Sequence, residues 1–494
     1  MKWAHSIGLI AISLILSSLA ACGSAAPEGP VTTSAGDTTT EAPVDTRTEL
    51  EKLEGADYDG YEFGILLNNQ DDRFVDVMTV GEMNGDIMND NVYKRNLAVQ
   101  EKYGIVIKTE QDEFQKVNET CKTSVMAGDS EYDLYFSNCY ATSLASAGYL
   151  YELGGLPGVD LSNPWWDPAA LEQLSVGGKI YLATGDISPT SLMTSSCMVF
   201  NKRLLDSVQM EYPYEAVKQG KWTLDMLAEL TSDLSRDING DSSMTLEDDL
   251  FGYTSWMCDS PYSFFYGAGG TLSVKNSEDV PEVSYDMDMI TEVYDKIYRI
   301  IITNRSYFVT DAAKYPTFYE CFSDGKAYFS EMTLQKIEMF LRDMKDDFGI
   351  IPIPKRNETQ ENYIACVNGA GGFVVVPANA ENPERTGRVM EALAAGAYDG
   401  ITPELYDVIT KTKVARDEES AEMVDLIIEH RVFDPYYINL VKNYDFMQSA
   451  LSSKKESVTS VLESGRSAAE QAMAKLAETY AENTKRSEER RVGK

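Results

Sequence analysis

Between Tyr61 and Phe136 the chain alternates two hydrophobic periods, and this alternation limits the possible folds more than any other feature of the sequence. Tyr61 to Leu67 (Tyr-Glu-Phe-Gly-Ile-Leu-Leu) reads as a strand. Asn89 or Asp90 is placed to cap a helix running through Val92, Leu97 and Val99 to Tyr103, and Gly104 stops it. Ile105-Val106-Ile107 is the next strand. A second helix sets Phe114, Val117, Cys121 and Val125 on one face and ends at Ala127-Gly128, after which Asp133-Leu134-Tyr135-Phe136 is a third strand. Strand, helix, strand, helix, strand in this order calls for parallel strands joined by right-handed crossovers, a doubly wound α/β arrangement. No GxGxxG or GxxxxGK[ST] follows any of these strands, so nucleotide binding has no motif here.

What precedes this region reads as export machinery. The apolar run Ile7 to Leu19, behind a basic start at Lys2, has the size of a secretory core and is too short to span a bilayer. It closes on Leu19-Ala20-Ala21-Cys22, which resembles the lipobox of bacterial lipoproteins, where the cysteine thiol receives diacylglycerol. Residues 1–21 are then a signal peptide, Cys22 the lipid attachment site and first mature residue, and the outer face of the cell membrane the expected location. An ordinary signal peptide with a chance cysteine is the alternative. From Gly23 to about Thr48 the composition is Ser, Thr, Ala, Pro, Gly and acidic residues without an aromatic ring, a stretch that as a coil spans about 25–30 Å, and residues 22–55 are expected to be a flexible tether. At the other end, Arg486 to Lys494 reads Arg-Ser-Glu-Glu-Arg-Arg-Val-Gly-Lys, which an in-frame sequencing adapter also encodes. Residues 486–494 are expected to be such an artefact, with a genuine charged tail as the alternative, and no structure is assigned to them.

With 494 residues, 43% of them hydrophobic, the chain can bury large cores. Its net charge of -36 repels nucleic acid and anionic lipid, which excludes both as partners. Beyond Cys22 the cysteines stand at 121, 139, 197, 258, 321 and 366, with no CxxC spacing for zinc and too sparse for a disulfide scaffold, so mostly buried thiols are expected.

A longer succession of motifs carries a family resemblance. It begins with Val92-Tyr93-Lys94-Arg95-Asn96 and Glu101-Lys102-Tyr103-Gly104, then Ala127-Gly128-Asp129 leading to Tyr132-Asp133-Leu134. Gly148-Tyr149-Leu150-Tyr151-Glu152-Leu153, Gly178-Lys179-Ile180-Tyr181 and Val199-Phe200-Asn201-Lys202-Arg203-Leu204-Leu205 follow, and Trp222-Thr223 opens a helix. Phe322-Ser323-Asp324-Gly325-Lys326-Ala327 precedes Phe348-Gly349-Ile350-Ile351-Pro352, and Asn382-Pro383-Glu384 comes last. In this order, over most of residues 57 to 480, the chain resembles the extracellular solute-binding lipoproteins of ABC importers, the family that includes maltose-binding protein.

The resemblance implies a two-lobed periplasmic-binding-protein-like fold, α/β in each lobe, with a ligand held in the cleft between them. By analogy lobe 1 comprises 56–184 and 367–432, and lobe 2 comprises 185–366 and 433–485. The chain would leave lobe 1 near Ala183 to Asp186, return near Asn362 to Gly372, and cross again near Phe433. Gly369-Ala370-Gly371-Gly372 suits either a crossing that absorbs backbone change or close packing against a strand. The family places the loop with Trp256, Tyr262 and Tyr266 at the cleft. With Asn138 after the third strand, Asp186 at the first crossing and Glu331 in the Glu331-Met332 loop, these form the expected ligand site. Aromatic rings there match the apolar faces of sugars, and the polar side chains match their hydroxyls. Trp165 and Trp166 are read as structural. The implied protein is a monomeric binding subunit that captures a carbohydrate by cleft closure, hands it to ABC permease subunits and catalyses nothing.

One loop has chemistry of its own. Asp237, Asn239, Asp241, Thr245 and Asp248 stand at positions 1, 3, 5, 9 and 12 of a twelve-residue stretch, with Ser243 at position 7, the spacing by which oxygen ligands wrap a calcium ion. Ser242 replaces the usual turn glycine and Asp248 is shorter than the usual Glu, so an acidic turn without metal is the alternative. A helix from Thr223 to Ser235 is expected before it. For catalysis the sequence offers little: of two histidines, His5 lies in the signal, which leaves His430 alone and excludes a multi-histidine zinc site. A surface glycan-degrading enzyme stays open, because 79 Asp and Glu make carboxylate pairs inevitable. So does a ligand-sensing co-receptor for a membrane kinase, which would share the fold.

Overall fold

The computed structural model describes residues 46–69, 78, 80–310, 317–407 and 416–492. Cys22, the leader before it, the tether up to residue 45, and Gly493 and Lys494 lie outside the described residues. In chain order the strands are β1 (Tyr61–Asn68), β2 (Ile105–Asp112), β3 (Leu134–Ser137), β4 (Ser196–Asn201), β5 (Phe251–Trp256), β6 (Ser273–Lys275), β7 (Pro281–Val283), β8 (Tyr307–Val309), β9 (Ala327–Thr333), β10 (Phe348–Ile351), β11 (Ala365–Cys366), β12 (Phe373–Val375) and β13 (Arg431–Val432).

The alternating region folds as its periods require. β1 pairs in parallel with β2 and with β3, and β12 returns antiparallel to β3, giving the sheet order β12-β3-β1-β2. The helices Ile87–Tyr103 and Phe114–Ala127 make the two crossovers and end at Gly104 (φ 58°) and Gly128 (φ 77°), left-handed positions where a Cβ would be strained. Two local expectations shift. The first helix starts at Ile87, because Asp86, not Asn89 or Asp90, accepts the capping bond from Asn89 N at 3.0 Å. In the second, Ser124 is buried and Val125 only half-buried, since the Ser124 hydroxyl bonds Asp129 O at 2.7 Å and draws that side of the helix inward.

The second sheet has the order β10-β4-β9-β5-β8, with β4 antiparallel to both neighbours and β5 parallel to both of its own. The two sheets anchor two lobes. Between them the chain runs side by side in three places: β11 pairs in parallel with β13, Ser195 bridges Val367, and Asn368 N donates to Thr194 O at 3.1 Å. The glycine run lies here, and no member of it has a positive φ. Its glycines permit close approach instead: a Cβ on Gly372 would meet the Ser188 and Thr190 hydroxyls, and one on Gly369 would stand 2.9 Å from Cys139 Sγ.

Four expectations about extent change. Residues 49–55 read as tether in the sequence, yet Glu49–Lys52 is a helical turn with a Thr48/Glu51 capping box, and Leu50 is buried. Asp399 of the helix Pro383–Asp407 accepts from both Glu49 N and Leu50 N at 3.1 Å, which fixes the turn to the first lobe. The helix Glu418–Glu429, grouped with the first lobe by sequence, packs on β10, where Ser420 Oγ accepts from Ile350 N at 3.1 Å and pairs with Tyr214 Oη at 2.8 Å. The helix expected over 223–235 is regular only from Leu224 to Leu230. Finally, the helix Thr459–Val492 continues through 486–492, whose Glu and Arg residues are good helix formers. Among the described residues no helix is long and apolar enough to cross a membrane, and the cysteines are buried except Cys258, which is half-buried.

Candidate ligand-binding site

The C-terminal ends of β3 and β5 meet over the crossing at Asn368-Gly369, the position where open α/β sheets bind ligands. From the first lobe, Asn138 caps the short 3-10 turn Cys139–Ala141, its Oδ1 accepting from Tyr140 N at 3.1 Å. Cys139 N donates to Gly369 O at 2.9 Å, tying the turn to the crossing. The turn presents the Tyr140 ring, 45% exposed and stacked on Phe114 with centroids 5.0 Å apart. The Tyr140 hydroxyl lies within electrostatic reach of Cys258 of the second lobe, and the Tyr444 hydroxyl within reach of Tyr140 and Cys258. Tyr262 packs against Tyr437 (4.9 Å) and Tyr444 (6.3 Å), and Gly369 N donates to Tyr437 Oη at 3.4 Å. Rings from three separate stretches of chain therefore gather where the lobes face each other.

Asp259 supplies the polar counterpart. It precedes the helix Ser260–Gly267; its Oδ1 accepts from Asn368 Nδ2 at 3.0 Å and its Oδ2 from Tyr319 Oη at 3.1 Å. Although protein surrounds it, part of its surface remains open. Burial raises its carboxyl above the usual range, and Lys336 opposes the rise.

The residues expected from sequence separate in space. Asn138 shapes the Tyr140 turn. Trp256 is buried in the second lobe with its ring parallel to Phe318 at 6.2 Å. Tyr262 joins the ring cluster, tilted against Tyr437 and stacked on Tyr444, and donates to Gln448 Oε1 at 2.8 Å, while Tyr266 is packed beneath it against Phe265 and Tyr437. Glu331 is 0% exposed, its oxygens accepting from Ser263 Oγ at 2.7 Å and Ser260 Oγ at 3.1 Å. Asp186 stands on the first crossing beside Thr402, Tyr398 and Arg431. Burial pushes its carboxyl up to about 7 against the Thr402 hydroxyl and the Arg431 charge, which lower it, and the Asp167 charge adds the smallest contribution to the rise. Asp259, Asn368, Tyr437 and Tyr444 are not singled out by the sequence. Asp259 sits inside the aromatic loop read from sequence, and Tyr437 just beyond the crossing at Phe433, so position was the available signal for both.

Trp165 and Trp166 are structural, as read. Both indole N–H groups donate to Glu391 at 3.1 Å, and Asn163 Nδ2 does so at 2.6 Å.

The 237–248 loop lies at the opposite end of β5 from Asp259. Asp237 accepts from Gly240 N (2.6 Å) and Ser242 N (2.7 Å), Asn239 Oδ1 from Asp241 N (2.9 Å), and Asp241 Oδ1 from Ser243 N (2.7 Å). Ser242 itself takes the left-handed conformation (φ 67°) that glycine usually supplies at this position. Asn239 Nδ2 donates to Asp241 and, at 3.5 Å, to Asp248. The Thr245 hydroxyl is buried without a partner. Among the described residues, no three of His, Cys, Asp or Glu gather closely enough to hold a metal ion.

Residues 98–417 match the family described as bacterial extracellular solute-binding protein. A search of curated protein sequences finds no match. Among solved structures, the fold is similar to the substrate-binding protein Lmo0181 from Listeria monocytogenes in complex with cycloalternan (13% identity, TM-score 0.56, covering 84% of this chain and 100% of that one). It is similar as well to the cyclic alpha-maltosyl-1,6-maltose binding protein from Arthrobacter globiformis (12%, 0.55, 85% and 100%). A cyclo/maltodextrin-binding protein complexed with maltotetraose gives 15%, 0.54, 85% and 96%.

Proposed function

Because the chain belongs to the bacterial extracellular solute-binding protein family, we propose that it captures a carbohydrate between its lobes and delivers it, as a monomer, to the permease of an ABC importer without catalysing a reaction. The observation that carries this reading is the cluster of Tyr140, Tyr262, Tyr437 and Tyr444 beside Asp259 and Asn368. Rings offer faces for sugar C–H groups, and the carboxylate and amide offer hydrogen bonds to hydroxyls. The three similar proteins above were all solved with, or are described as binding, oligosaccharides. Ligand that touches both lobes only when they close shifts the open–closed equilibrium by its differential affinity.

Tyr140→Ala is the direct test. Its ring is the most exposed of the cluster, and losing a stacked sugar face removes about 1.5–3 kcal/mol, so affinity for the bound oligosaccharide should fall roughly tenfold to a hundredfold in calorimetric titration. The melting temperature without ligand should change little. Unchanged affinity, or turnover of the sugar in place of saturable binding, would defeat the proposal.

Two parts of the reading rest on sequence. Anchoring through Cys22 predicts that Cys22→Ser moves the protein from the membrane fraction to the medium; retention in the membrane would refute the anchor. Calcium at Asp237, Asn239, Asp241, Ser243, Thr245 and Asp248 rests on the spacing of these oxygens and requires Asp237 and Asp241 to exchange backbone N–H partners for the ion. Chelation should then lower the melting temperature, since an ion bound only to the folded state stabilises it, and Asp241→Ala should abolish the difference. No change on chelation removes the site.

A further inference from the structure

The helix Phe114–Ala127 starts two residues after β2 ends, so its first turns lie at the C-terminal edge of the first sheet, where β3 also ends. Phe114 and Asn118 stand one turn apart on the same helix face. Phe114 carries the Tyr140 ring. Asn118 is half-buried, and its Oδ1 accepts from the hydroxyl of Ser137, the last residue of β3, at 2.7 Å. Because Ser137 is buried at the end of a paired strand, this bond holds the amide from a fixed point, and the planar group turns its Nδ2 away from the strand. Among the described residues Nδ2 has no acceptor, and the hydroxyls of Tyr140 and Tyr444 have no hydrogen-bond partner.

Satisfying Ser137 uses only the acceptor half of the Asn118 amide, and the donor half serves nothing else in the fold. It stands, already oriented, beside an exposed ring stacked on Phe114. A ring face for sugar C–H groups with a neutral donor at its edge is the pair of contacts that one sugar unit requires from one wall. A side chain fixed before the ligand arrives also loses little rotamer freedom on binding. We propose that Asn118 is a specificity-determining residue of the first lobe, donating from Nδ2 to an oxygen of the sugar unit that stacks on Tyr140, and that Ser137 is the residue that positions its amide. A sugar lacking that oxygen is rejected, because it covers Nδ2 without pairing it.

This inference rests on the carbohydrate reading, and its test separates the two. Oligomers of glucose, galactose, mannose and xylose are titrated into the full-length protein by calorimetry, and the tightest binder is carried to the variants. Asn118→Leu, which keeps the branched shape and removes the amide, should weaken binding roughly five- to thirtyfold. Leucine leaves the Ser137 hydroxyl buried without an acceptor, so this variant should also melt earlier. The double variant Asn118→Leu/Ser137→Ala removes that orphan; it should regain the wild-type melting temperature to within a few degrees and keep the whole loss of affinity. Ser137→Ala alone frees the amide to rotate and should weaken binding by a smaller factor, which disappears when Asn118 is already leucine. Wild-type affinity in the double variant overturns the inference and leaves the carbohydrate reading standing, since any loss in Asn118→Leu would then come from folding. Wild-type affinity in Ser137→Ala overturns the positioning role given to Ser137. Failure of all four oligomers to bind the wild type overturns both readings.

Discussion

Glu391→Ala should destabilise the protein by about 3–5 kcal/mol, the largest effect expected of any single substitution considered for this chain. The carboxylate accepts from Asn163 Nδ2, Trp165 Nε1, Trp166 Nε1 and, at 3.3 Å, Asp160 N. Truncation would strand these donors, both indoles among them buried. An unsatisfied buried donor costs about 1–3 kcal/mol, and entering water would relieve part of the sum. Burial raises the Glu391 carboxyl above its usual range even with four donors, so charge is a burden there and geometry is what the residue contributes. Glu391→Gln, which keeps one acceptor oxygen, should cost about half as much. Denaturant unfolding measures both. A midpoint for the alanine variant equal to that of the wild type would mean that the indoles find other acceptors and that Glu391 does not hold the Asn163-Pro164-Trp165-Trp166 turn.

Asp186→Asn should stabilise the protein at alkaline pH and have no effect in acid. The folded state holds this carboxyl at about 7, against an ordinary value of 3.8, because burial disfavours its charge by more than the Thr402 hydroxyl and the Arg431 charge favour it. Below about pH 4 both folded and unfolded chains keep the proton, and the group costs nothing. As the pH rises the unfolded chain releases it first, so stability falls until the folded group also ionises near 7 and is constant above that. The full difference corresponds to about 4 kcal/mol, and since Asp186 keeps some solvent contact about 2–4 kcal/mol is expected. Asparagine has no proton to lose, so the variant's advantage should open between about pH 4 and 7 and then stay level. Stabilities of variant and wild type that run parallel across this range would place the Asp186 charge in water.

The sequence by itself determined the local order of the chain. The periods between Tyr61 and Phe136, and the glycines at 104 and 128, specify the strands, crossovers and helix ends of the first sheet, because each signal depends on residues within a turn or two of one another. The succession of short motifs carried the family for the same reason. Burial and partnership were decided only by the tertiary structure. Glu331 and Trp256 look like ligand residues in a loop-rich stretch, but one is sealed under the helix Ser260–Gly267 and the other is stacked on Phe318. Asp259 gains its partner from Asn368 and Trp165 gains its own from Glu391, each more than a hundred positions away in the chain. Leu50 reads as the end of a tether and becomes core because Asp399 captures the backbone beside it. Whether a carboxylate is solvated, paired or left to raise its pKa depends on which distant surfaces close over it. Periodicity records which side of an element is apolar, and only packing fixes what that side meets.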